Sequence, residues 1–123
     1  MPFITDNAAD AYLQYIIDNA EDLHICSQEP VTYAEATSTY TIGDKQTITV
    51  GIQADRSPDG RKSTIAAFVD GDVTVTGTAT HWAIVDVTGT ELLATGELDS
   101  SQSVTSGNTF SIAAFDIGVP DAV

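Results

Sequence analysis

The chain has 123 residues, 42% of them apolar, and sets eighteen acidic side chains against four basic ones for a formal charge of −14. That length is one domain with room for its own core, and an ordinary apolar fraction argues against wholesale disorder. A surface this negative repels phosphate backbones and anionic headgroups, so neither nucleic acid nor a membrane is an expected partner.

Thr5 or Asp6 is a natural N-cap, and Asp6 also suits the positive end of a helix dipole. Ala9, Leu13, Ile16, Ile17 and Ala20 then follow along one stripe, flanked by Tyr12 and Tyr15, which predicts a helix over about residues 6–20. Leu23-His24-Ile25-Cys26 predicts a first strand, with Leu23 and Ile25 on one face and His24 and Cys26 on the other. Ser27 to Thr37, with Pro30 and small polar residues, predicts a long surface loop that Tyr33 and Tyr40 would pin to the body.

Thr39-Tyr40-Thr41-Ile42 and Thr47-Ile48-Thr49-Val50-Gly51-Ile52 alternate with period two, and Gly43-Asp44-Lys45 is a natural turn between them. A turn-rich loop covers 54–62. Ser63 to Val69 is a further strand candidate, closed by Asp70-Gly71-Asp72. The centre of the chain is a hairpin. His81-Trp82-Ala83-Ile84-Val85 is a buried-strand run holding the only tryptophan, joined through Asp86-Val87-Thr88-Gly89-Thr90 to the strand Glu91-Leu92-Leu93-Ala94-Thr95. Asp99 to Ser103 follows as a polar connection. Ser106-Gly107-Asn108 turns into Thr109-Phe110-Ser111-Ile112. There the apolar parity slips between Phe110/Ile112 and Phe115/Ile117, which predicts a β-bulge near Ala113-Ala114. The whole reads as a mainly β single domain: a jelly-roll-like sandwich or barrel of seven or eight short strands over about 23–118, behind one N-terminal helix and before a short tail.

Little here carries chemistry. Asp55-Arg56-Ser57-Pro58-Asp59-Gly60 opens like a calcium loop, but Ala66 stands where the closing glutamate belongs, and Arg61 and Lys62 repel a cation. His24, Cys26 and His81 lack the spacing of a metal motif, and a buried thiol or a hydrogen-bonded histidine accounts for them. No nucleophile elbow or phosphate loop is present, so neither catalysis nor a cofactor is expected. Cys26 is the only cysteine, which allows no intrachain disulfide. The segment Met1 to Asp6 has no basic or long apolar region, so no secretory signal is expected and synthesis in a cytoplasm is. The four cations, Lys45, Arg56, Arg61 and Lys62, all fall within 45–62. A positive segment on a negative body suits docking onto an acidic patch of a neighbour, and equally a solvated loop with local Asp55–Arg56 and Asp59–Arg61 pairing.

Five phrases carry a resemblance: Leu23 to Pro30 (LHICSQEP), Tyr33 to Thr37 (YAEAT), Ala54 to Lys62 (ADRSPDGRK), Ala79 to Ala83 (ATHWA) and Val104 to Phe110 (VTSGNTF). Together they resemble a group of small proteins encoded among the virion genes of tailed bacteriophages, over nearly the whole chain. Members usually have no assigned activity, so no functional residue carries over. The resemblance implies a virion structural protein, best matched by a capsid decoration or cement protein on the outer surface of the head. Its expected partners are the major capsid protein or copies of itself. Lys45, Arg56, Arg61 and Lys62, or the apolar Phe3-Ile4 end, would face the shell. A neck or tail component of the same virion is the alternative. A glycan-binding β-sandwich module, with Trp82 or a tyrosine stacked on sugar, is the alternative from another class.

Overall fold

The computed structural model describes residues 5–57 and 60–119. Helix α1 spans Asp6–Asn19, and Thr5 caps it, its hydroxyl accepting from the Ala8 N–H at 3.3 Å. Ala9, Leu13 and Ile16 are buried, while Tyr12 and Tyr15 stand about half exposed on the outer side. The helix stops where Ala20 turns extended and Glu21 joins the sheet, its N–H bonded to the Val85 carbonyl at 3.0 Å.

Among the described residues nine strands follow: β1 Asp22–Cys26, β2 Thr41–Gln46, β3 Ala54–Asp55, β4 Arg61–Ile65, β5 Phe68–Val73, β6 Gly77–Asp86, β7 Glu91–Val104, β8 Thr109–Ile112 and β9 Phe115–Val119. They make a curled six-stranded antiparallel sheet, ordered β7-β6-β1-β2-β5-β8, and a three-stranded one, β3-β4-β9. This is the small, mainly β sandwich or barrel-like domain behind one helix that the sequence predicts.

β1 sits inside the larger sheet and is buried on both faces. Leu23 and Ile25 join Leu13, Ile16, Ile42, Ile65, Val73, Ile84, Phe110 and Ile117 in the main core, closed by α1 and the smaller sheet. On the opposite face Cys26, Ala36, Ala83 and Val85 form a second cluster, flanked by Tyr33, Tyr40 and Leu92. The segment predicted as a surface loop therefore covers a sheet face. Its end coils into a short π-helix, Glu35–Thr39, that drives Ala36 onto Cys26. The reason is local. Thr32 Oγ1 caps the start by accepting from the Glu35 N–H at 3.1 Å, and the Glu35 carboxylate reaches back past Thr32 to accept from the Val31 N–H at 2.9 Å.

Three further expectations are corrected. Gly43-Asp44-Lys45 is no turn: β2 runs through it, opposite Ile25, His24 and Leu23. Gly43 is needed because a Cβ there would stand 2.7 Å from the Asp72 carbonyl oxygen. Residues 47–52 form no full strand and join by a single bridge, Val50 to Ile65. Asp70-Gly71-Asp72 likewise lies within β5, where a side chain at Gly71 would run into the Phe110 ring.

The parity slip at Ala113-Ala114 has a different cause from a bulge. Ile65 faces Phe115 in the small sheet and Phe68 faces Ile112 in the large one, so one antiparallel ladder keeps its register across a corner. Both strands turn that corner through an alanine pair, Ala66-Ala67 and Ala113-Ala114. Strands that switch sheets at a bend are how an orthogonal sandwich makes its corners.

Candidate functional site

The structure divides the four cations. Lys45 lies on β2 of the large sheet, its ammonium 3.1 Å from Asp70 Oδ2. Arg61 and Lys62 lie on β4 of the small sheet, and Arg56 follows β3. Arg61 is a clamp: its Nε donates to Asp10 Oδ1 of α1 at 2.8 Å and its Nη1 to Asp55 Oδ1 at 2.6 Å. Those bonds hold the guanidinium firmly charged and tie helix to sheet. Lys62 is 3.3 Å from Asp116 Oδ2, and the Thr64 hydroxyl donates to Asp116 Oδ1 at 2.6 Å. That hydroxyl, ahead of Lys62, keeps the Asp116 carboxyl below its usual range. Arg56, Ser57, Lys62, Asp116 and Gly118 border a shallow depression, and a Cβ on Gly118 would stand 2.8 Å from the Arg56 side chain. Phe3, Ile4, Pro58 and Asp59 lie outside the described residues.

His24, Cys26 and His81 share the second face of the large sheet, with Cys26 directly opposite His81. Each has a polar atom engaged within the protein. His24 Nδ1 meets Thr41 Oγ1 at 2.9 Å, His81 Nδ1 meets Thr80 Oγ1 at 2.8 Å, and the Cys26 thiol faces the Ala36 carbonyl at 3.8 Å. Burial pushes the thiol up to about 11, which makes it inert at neutral pH. Burial also lowers the His24 pKa and raises that of Asp44, its cross-strand neighbour. Among the described residues no three histidine, cysteine or carboxylate side chains are placed to hold a metal ion.

A further feature is a groove of about 390 Å³ at the alanine corner. One wall is β7. Across from β6 its pairing jumps from Ala79–Gln102 to His81–Glu97, so residues 98–101 stand out of the ladder opposite Thr80. The other wall is the corner, Ile112 to Asp116, and Trp82 also lines the groove. The indole lies over Gly96, where a Cβ would be 2.7 Å from Cζ2, and meets Phe115 of the small sheet at 4.7 Å between ring centres. Glu97, Asp99 and Gln102 are exposed along the β7 wall. Sequence reasoning missed this site, because Asp99 to Ser103 looks like an ordinary polar connection. Only the pairing with β6 makes it a wall.

No protein-family profile, curated protein or solved structure matches this chain.

Proposed function

We propose that the chain is a non-enzymatic structural protein of a tailed-bacteriophage virion, a decoration or cement protein that binds the outside of the head shell. The observation that carries the reading is the charge arrangement. Eighteen acids face four bases, and Lys45, Arg61 and Lys62 already lie against acids of the same chain, so the outward field is negative almost throughout. Such a body stays off packaged DNA and depends on protein contacts for its place. The build suits the task. β1 is locked between two packed layers, and Arg61 clamps the helix to the small sheet, which favours a rigid stud over a hinged one. The five phrases that resemble small virion proteins point the same way. Arg56 and Lys62, which border the depression on the small sheet, are the cations this reading would turn toward an acidic patch of the shell or of a second copy.

The test is the copy number per purified virion, by quantitative mass spectrometry against the major capsid protein. Hundreds of copies are expected for a shell-wide cement. A dozen or so would move the protein to the neck or tail, and none would end the virion reading.

A further inference from the structure

We infer that β5 and β8 form a flap hinged on the two alanine pairs, and that charged pairs along its seam with β2 set how often it opens. The topology isolates the flap. β8 is the last strand of the large sheet and pairs with β5 alone. Among the described residues β5 in turn meets β2 in register only at Gly43–Val73 and Asp44–Asp72. β1, by contrast, is paired along its whole length on both sides. The two flap strands are tied to each other. Phe68 faces Ile112, Asp72 faces Thr109, and the Phe68 and Phe110 rings meet edge to face at 5.6 Å between centres. Ala66-Ala67 and Ala113-Ala114 lie outside the strands and are exposed, so a change of angle there moves no buried side chain of their own. Ala66 fixes the near end of the hinge, its N–H bonded to the Thr49 carbonyl at 3.0 Å.

A fold opens first where few hydrogen bonds and little buried apolar surface hold it. Val73 and Phe110, both buried, hold the flap down on the main core. The seam itself is balanced between two pairs. Asp44 and Asp72 stand directly opposite, where like charges on one face repel. Beside them Lys45 reaches Asp70 at 3.1 Å and draws the same two strands together. The charged groups that act on Asp44 are His24 and Asp22 on β1 and Asp72 on β5, while β8 sets the uncharged Thr109 opposite Asp72. Burial first, then the Asp22 and Asp72 charges, raise the Asp44 pKa against the pull of His24. The larger sheet thus carries a repulsive pair at its shortest join. Ile112 lines the groove and belongs to the flap, so each opening also moves a wall of the groove.

The flap rests on the fold alone and stands or falls apart from the virion reading. Native-state amide hydrogen exchange of the full chain, read by NMR, tests it. After correction for intrinsic rates, the hydrogen-bonded amides of β5 and β8 should exchange as one group, about tenfold or more faster than those of β1 and β6. D72N removes the repulsion and should slow that group about two- to fivefold, with β1 and β6 unchanged. D70N takes the same charge from the same strand but breaks the Lys45 pair, so it should speed the group by up to about fivefold. Both carboxylates are exposed, so neither variant threatens folding. Slowing by both variants would reduce the effect to diffuse surface charge and overturn the charged seam. So would a D72N chain that exchanges like the wild type. Exchange of β5 and β8 in step with β1 and β6 would overturn the flap itself.

Discussion

The two faces of the large sheet are closed by unlike material. On one, Leu23, Ile25 and Ile84 meet α1 and the small sheet in a buried aliphatic layer. On the other, Cys26, Ala83 and Val85 meet a single chain segment ending in a π-helix, and the layer includes His24 and Thr41 joined by a hydrogen bond. The residues of β1 alternate between these worlds one by one. The comparison separates two jobs within a single strand. The aliphatic face supplies most of the stability, because burial scales with apolar area. The mixed face is held by small residues and satisfied polar groups, and it is the face that feels pH.

The sharpest way to break this comparison is Leu13→Ala. Leu13 is fully buried between α1 and the sheets, so its truncation should cost about 2–5 kcal/mol in chemical denaturation. A loss well under 1 kcal/mol would mean that the helix contributes little to the main core.

The second prediction concerns the mixed face. Burial holds the folded-state pKa of His24 below its ordinary 6.5, while the facing carboxylates of Asp44 and Asp22 pull it partly back. The unfolded chain therefore binds more protons between that lowered value and 6.5, so stability should fall as pH drops below 6.5. Asp44 acts in its own range with the opposite slope. Its raised pKa makes the folded state bind more protons above 3.8, so its contribution declines as pH rises through that window, under the influence of Asp22 and Asp72 as well. Replacing His24 by Asn should flatten the stability profile between pH 6.5 and 5. Unchanged curvature there would assign the pH response elsewhere.

The smallest effect is expected at the surface. Lys45 and Asp70 form an ion pair whose acidic partner is two-thirds exposed. Lys45→Ala should shift stability by about 0–1 kcal/mol, less at high salt. A larger loss would show that the Lys45 stem, opposite Leu23, belongs to the aliphatic layer.

Much of the architecture was legible in the chain. The apolar stripe from Ala9 to Ala20 needs only local geometry to become α1. The hairpin of β6 and β7 follows from two apolar runs around a short turn, with Asp86 opposite Glu91 as the last pair. The split of β1 into a Leu23/Ile25 face and a Cys26 face was readable from period two alone. Glycine misled at two places. Gly43 and Gly71 look like turn residues, yet each sits mid-strand because a neighbour comes too close for a side chain. That neighbour, a carbonyl of β5 for one and a ring of β8 for the other, is distant in sequence, so no local signal could reveal it.

The candidate sites divide along the same line. The sequence by itself determined the net charge, the cluster of cations in 45–62, the helix and the strand periodicities, since each is a property of composition or of near neighbours. Only the tertiary structure decided that Lys45 parts from the other cations, that Arg61 is held by Asp10 of the helix, and that residues 98–101 and the Ala113-Ala114 corner face each other across a groove. These depend on which strands pair and in what register. Register is set by the sum of many weak contacts over the whole sheet, and no short window of sequence contains that sum.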